Sequence, residues 1–329
     1  MELLMQPVYL EKISYQFDCI LIGENIEILK FGNLSTRSDN HKYQLTYIMN
    51  EKYLEEFNRS NVGAAIIHSS LKDKIVNFKS YLLTEINPET LFYTIFFEYN
   101  SRNYFKNLKK SSKNTSIISS SAIIHDSVII GDDCIIMDNV VLMPNTIIGD
   151  RVKIKPNTTI GGDGFQVKEV DGIRKIVPHV GGVQVGNDVE IGSNVSIDKG
   201  LFGEFTTIGH ETKIDNQVYI GHSSVIGNRN IIAGGSTIAG NVITEENIWV
   251  GLSASINQLL KMGKNSFIGA NSAVIKSIKQ HEKVVGVPSR VIGWVCDCRS
   301  PLRKNENEFI CINCSKTYKL DVDLTMERI

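Results

Sequence analysis

Residues 208–240 read IGHETKIDNQVYIGHSSVIGNRNIIAGGSTIAG. An aliphatic residue returns at every sixth place: Ile208, Ile214, Ile220, Ile226, Ile232 and Ile238. The beat continues through Thr244, Val250, Ile256, Met262, Ile268 and Val274. Upstream it runs through Ile124, Ile130, Ile136, Leu142, Ile148, Ile154 and Ile160, then resumes at Val185, Ile191 and Ile197. A one-residue slip over residues 200–204 joins the two phases. Of these 22 positions, 21 are aliphatic counting Met, which chance does not produce in a chain that is 42% hydrophobic. Glycine often follows the aliphatic, as at Gly131, Gly149, Gly209, Gly221, Gly227 and Gly251. It is read here as permitting backbone angles closed to other residues.

A period of six matches neither a helix, at about 3.6, nor a flat strand, at 2. It fits a mainly β fold, a parallel β-helix of hexapeptide repeats. Three hexapeptides make a triangular coil of 18 residues, with the aliphatic side chains stacked inside. Successive coils lie about 4.8 Å apart, and the pattern predicts about seven of them. Residues 165–182 break the beat with a polar, charged stretch. It is expected to leave the prism, either over a ligand or neighbouring subunit or as a plain surface loop.

Outside the repeats the chain changes character. Residues 1–110 mix strand-like runs such as CILIG and SYLLTE with helix-like ones such as NEKYLEEFNRS, which predicts a small α/β domain. Residues 111–120 are expected to be a polar linker, 121–278 the β-helix, and 279–329 a C-terminal extension. The 329 residues carry 35 Lys+Arg against 36 Asp+Glu, a net charge of −1. That balance argues against nucleic-acid binding and against a polybasic membrane anchor. No run of 18 apolar residues predicts membrane insertion. The stretch MELLMQPVYLEK lacks the features of a secretory signal, so a cytoplasmic location is expected. Cys19 and Cys134 stand alone in apolar runs and read as small buried hydrophobes.

A scaffold of this kind needs polar groups on its outer face to function. His222 follows the Ile220–Gly221 pair and falls at an exposed turn. Gly240 lies 18 residues further on in an unbroken run, so its backbone should sit one coil from the imidazole. A base beside an unshielded N–H suits acyl transfer: the imidazole takes a proton from the nucleophile and the N–H holds the oxyanion. Histidine fits because its ordinary pKa of about 6.5 lies near working pH. His210, twelve residues earlier, should lie near a different edge.

The stretch from Ile160 to Gly240 resembles the UDP-3-O-acylglucosamine N-acyltransferase family of lipid A synthesis, through the phrases IGGDGF, VEIGSNVSIDKG, KIDNQVYIGH and IAGGSTIAG. The resemblance implies a left-handed β-helix and a homotrimer with sites between neighbouring columns. It implies His222 as general base, Asp215 as its partner, the Gly240 N–H as oxyanion donor and Asn216 near the substrate. In the N-terminal region it implies that Tyr47 and Tyr53 sandwich a nucleobase, an interaction that stacking supports physically. Two departures stand out. The family carries a second histidine in a phrase like I-N-G-H, and that histidine is absent here, where the phrase is Ile256-Asn257-Gln258-Leu259. GVPSRVIG resembles the segment that follows the column in CoA-dependent hexapeptide acyltransferases.

Cys296-x-Cys298 and Cys311-x-x-Cys314, twelve residues apart, have the spacing of a four-cysteine zinc ribbon. A structural Zn2+ in a ribbon-like tail is expected. The reading that results is a homotrimeric N-acyltransferase. It would move an acyl group from acyl-CoA or acyl carrier protein to the amino group of a nucleotide-linked amino sugar. Lipid A precursor synthesis and surface-polysaccharide modification are both open, and the missing histidine tilts toward the second. A hexapeptide carbonic anhydrase, with His210 and His222 recruited to a catalytic metal, is the reading from another class.

Overall fold

A computed structural model describes residues 2–76, 78–105, 107–108, 115–305, 308–320 and 326–328. The chain forms two compact units. One comprises Met1–Asn107, Phe165–Gly181 and Leu201–Glu204, the other Leu108–Gly164, Gly182–Gly200 and Phe205–Ile329.

The second unit is a parallel β-helix. Its first face begins at Ile117–Ile118 and reaches ten strands, its second begins at Ile123–Ile124 with eight, and its third begins at Ile129–Ile130 with seven. The strands run parallel, apart from Arg290–Trp294, which pairs antiparallel with Glu282–Val285 at the end of the first face. Register follows the predicted coil: Tyr219 pairs with Thr237 and Ile220 with Ile238. The six-beat residues from Ile136 onward fill one continuous core. Burial of this ladder drives the column, and each coil gains stability from its neighbours. Ile232→Val removes one methylene from the ladder between Ile214 and Val250. It is expected to lower unfolding free energy by about 0.5–1.5 kcal/mol, read by denaturant titration.

Two findings revise the reading of the repeats. Strand partners across 200–204 stand 23 residues apart, as in Ile197 with Ile220, so five residues are inserted there. Counting in sixes cannot tell a residue lost from five gained. The glycines after the aliphatics also have another cause. Positive φ falls two residues later, at Asn139, Asn145, Arg151, Gln217, Ser223 and their equivalents. At Gly221 the constraint is contact: a Cβ there would lie 2.6 Å from the Gly240 nitrogen of the next coil.

Residues 111–114 of the expected linker lie outside the described residues, and its remainder contains the strand Ile117–Ile118. Beyond the column, Leu302–Asn305, Glu308–Cys311, Thr317–Leu320 and Met326–Arg328 form an antiparallel sheet. No helix among the described residues is long and apolar enough to cross a membrane.

The first unit holds a five-stranded sheet, ordered Ile20–Ile22, Ser80–Thr84, Ala64–His68, Gln44–Ile48, Lys30–Phe31. Helix α1 spans Leu10–Gln16, α2 Glu51–Arg59 and α3 Pro88–Ser101. Asn50 caps α2 by accepting from the Tyr53 N–H, and Asn87 caps α3, with Pro88 opening the helix. The excursion is a hairpin, Val167–Val170 with Ile173–Ile176, turning at Asp171–Gly172, both with positive φ. Its Lys168 Nζ lies 2.6 Å from Glu89 of α3.

Candidate active site

The corner between the second and third faces carries the candidate site. His222 follows the strand Tyr219–Ile220, and Gly240 follows Thr237–Ile238, its partner in the next coil. The imidazole is 8% exposed and its edge lies against Gly240. A Cβ on Gly240 would stand 2.7 Å from His222 Nε2 and 3.0 Å from each flanking ring carbon. Only glycine leaves room for the ring in this position. Among the described residues, no acceptor takes the Gly240 N–H. His222 Nδ1 lies 3.3 Å from Ser223 Oγ. With Nδ1 protonated and donating to that oxygen, Nε2 presents its lone pair on the Gly240 side.

One coil earlier, Asp198 occupies the place beside Gly221, since Ile197 pairs with Ile220. The sequence reading passed over it. Tyr219 donates from its hydroxyl to Asp198 Oδ2 at 2.6 Å. Asp198 is buried, and burial pushes its carboxyl up to about 6, with Asp163 adding to the shift against the Tyr219 bond. Lys199, next in line, pairs with Asp163 at 2.7 Å. The signal available in the sequence was position: Asp198 stands where the repeats usually place glycine.

The raised carboxyl has a stability consequence. An acid whose folded pKa lies above its unfolded value contributes stability below the unfolded value, about 3.8, and loses it as pH rises through about 6. Asp198→Asn removes the buried charge. It is expected to stabilise the chain at pH 8 by about 1–3 kcal/mol, with the gain vanishing near pH 4. Thermal unfolding at both pH values checks this. Equal melting-point differences at the two would contradict it.

The other expected residues disperse. Asp215 and Asn216 stand at the corner between the first and second faces, after the strand Lys213–Ile214. Asp215 Oδ2 accepts from the Gly234 N–H at 3.2 Å, and Asn216 Oδ1 from the Ser193 N–H at 2.8 Å. Within one chain Asp215 therefore belongs to a different edge from His222. His210 stands at the third corner, between the third and first faces, and its Nδ1 accepts from the Asn187 N–H at 2.9 Å. Among the described residues, the four tail cysteines are the set of three or more His, Cys, Asp or Glu that converges closely enough to hold an ion. Among the described residues, His210 and His222 share no such set.

Tyr47 and Tyr53 do not form the expected clamp. Tyr47 packs on the α3 side of the sheet, its ring 5.0 Å from Phe92 and its hydroxyl donating to Glu89 at 2.9 Å. Helix α2 packs on the opposite face, through Leu54 and Phe57 against Ile48, Ala65 and Ile67. Tyr53 points outward from α2, 46% exposed. The spacing of six crosses from a strand into a helix, so it does not keep the two rings on one side.

Residues 127–162 and 205–240 match the family model described as bacterial transferase hexapeptide (six repeats). Both stretches lie in the column and are similar to hexapeptide-transferase repeats. A curated relative, dTDP-3-amino-3,6-dideoxy-alpha-D-galactopyranose 3-N-acetyltransferase of Aneurinibacillus thermoaerophilus, is 36% identical over 58 residues. That match covers 18% of this chain and 30% of the relative's length. Among solved structures, UDP-N-acetylglucosamine acyltransferase of Francisella novicida aligns at 23% identity with a TM-score of 0.47, over 55% of this chain and 70% of that one. A perosamine N-acetyltransferase variant from Caulobacter crescentus, in complex with CoA and GDP-perosamine, aligns at 14% identity with a TM-score of 0.26, over 74% and 76%.

Proposed function

We propose that this chain is an acyltransferase that moves an acyl group from a thioester to the amino group of a nucleotide-linked amino sugar. The observation that carries the reading is the imidazole of His222 held edge-on against Gly240. The hexapeptide-transferase repeats support it. So does the curated relative, whose name describes N-acetylation of a dTDP-linked amino sugar. In this reading His222 Nε2 takes a proton from the amine as the nitrogen attacks the thioester carbonyl. The C–N bond forms, and the negative charge on the carbonyl oxygen is met by the Gly240 N–H. Collapse breaks the C–S bond, and the thiolate leaves with the proton carried by the imidazolium. A thiol is a good leaving group, so the site needs no separate strong acid.

Coenzyme A is the donor this reading favours over acyl carrier protein. The chain lacks the resembling family's second histidine, and Gln258 stands exposed one coil beyond Gly240. Asp215 lies at another edge of the same column, so its part in the reaction rests on a homotrimer that brings one chain's Asp215 edge toward another chain's His222. The test is free-thiol release from acetyl-CoA and longer acyl-CoAs with a panel of dTDP- and UDP-linked amino sugars. Sugar-dependent release with an N-acylated product by mass spectrometry is expected. No release across the panel, from a correctly folded chain, would contradict the proposal.

A further inference from the structure

The tail holds a second site, independent of the candidate active site. Cys296 and Cys314 place their sulfurs 3.5 Å apart, as do Cys298 and Cys311, and all four converge within 4.8 Å. A tetrahedral ion with metal–sulfur bonds of about 2.3 Å sets its ligands about 3.8 Å apart, within the range spanned here. At Cys311 the backbone already supplies donors that suit a thiolate. Cys311 Sγ accepts from the N–H groups of Asn313 and Cys314, each at 3.4 Å. Tyr318 donates its hydroxyl to Asp297 Oδ1, and its oxygen lies 3.0 Å from Cys296 Sγ. Each pair is followed by a residue with positive φ, Arg299 at 68° and Ser315 at 57°, so both loops turn the same way around the sulfurs.

The first of these loops is seated on the column. Arg229, Asn247, Asn265 and His281 form a vertical ladder at the corner between the third and first faces, with φ from 56° to 62°. Asn247 donates to the Asp297 carbonyl at 2.8 Å and accepts from Arg299 Nη2 at 2.7 Å. Asn265 accepts from Asn247 at 2.7 Å and meets His281 Nε2 at 3.2 Å. His281 Nδ1 lies 2.7 Å from the Val295 carbonyl, and the Val295 N–H donates back to the His281 carbonyl at 2.8 Å. The guanidinium of Arg299 sits 5.8 Å over the Trp249 ring. Val295, Asp297 and Arg299, the residues interleaved with Cys296 and Cys298, therefore contact a ladder that spans several coils.

We propose that Cys296, Cys298, Cys311 and Cys314 bind one zinc ion as thiolates and that this ion holds the tail against the final coils of the column. Zinc suits four thiolates in a closed tetrahedral set without redox change. The four thiols give up their protons on binding. A β-helix ends in an open coil whose edge needs covering, and the tail's own core is small: Cys296, Phe309, Cys311, Tyr318 and Met326. The ion joins two loops that this core alone holds weakly.

The test uses the full chain purified under reducing conditions. Metal analysis should give about one zinc per chain. Stripping the zinc with a chelator should raise amide exchange across 296–320 while 208–274 stays protected. Tyr318→Phe should weaken zinc affinity by about 10–100-fold, through loss of the hydroxyl that fixes the Asp297 carboxylate beside Cys296. Asn247→Ala should keep the zinc yet raise exchange at 296–299, separating the docking from the ion. A folded chain carrying iron, no metal, or disulfides between these cysteines would overturn the proposal. Unchanged exchange after zinc removal would overturn the holding role.

Discussion

Replacing His222 by alanine is expected to lower the turnover of N-acylation by about 10²–10⁴-fold, the usual range for loss of a general base. The imidazole is buried at a corner of the column but outside the stacked aliphatic core, so its loss should lower the denaturant midpoint only modestly. Donor affinity should change little, because the loss falls on proton removal from the attacking amine. Raising the pH should recover part of the rate, as more of the amine arrives unprotonated. Full turnover by the alanine variant would remove His222 from the mechanism.

Gly240→Ala should be nearly as damaging, by a different route. Its methyl carbon would need to occupy a point 2.7 Å from His222 Nε2. Real contacts between such atoms are far longer, so the ring must swing away. A displacement of about 1 Å can cost about 10²-fold in rate, and the same methyl group screens the Gly240 N–H from an incoming carbonyl. The expected result is a fall of about 10²-fold or more in kcat, with the melting temperature close to that of the parent. Parent-like kcat would show that the close approach of ring and backbone has no part in the chemistry.

Much of the column was legible because its constraint is local and repeated. Each of Ile208, Ile214 and Ile220 has to point into a narrow prism, so one residue type recurs on a fixed count. From that count the neighbourhood of His222 and Gly240 followed directly. The convergence of the four cysteines was legible for a similar reason, since two short-spaced pairs on either side of a hairpin-length loop bring their sulfurs together. What the count could not carry was anything that left the prism. The insertion at 200–204 looked like a slip of one because sequence phase is blind to whole repeats. The Asp171–Gly172 dipeptide is a hairpin signal, but the strands it joins are too short and too charged to stand out by alternation. Tyr47 and Tyr53 failed because a strand alternates sides at every residue while a helix does not, so spacing alone did not fix a shared face. Asp198 was overlooked because its burial and its bond to Tyr219 depend on the 23-residue register, which only the folded chain displays.

The most direct measurement of the central idea is a crystal structure of the chain with a non-transferable acyl-CoA analogue, such as one with a methylene in place of the thioester sulfur. The account predicts the analogue's carbonyl oxygen about 2.7–3.1 Å from the Gly240 nitrogen, with its carbonyl carbon on the side facing His222 Nε2. An analogue bound in order at another corner, with its carbonyl remote from both residues, would contradict it.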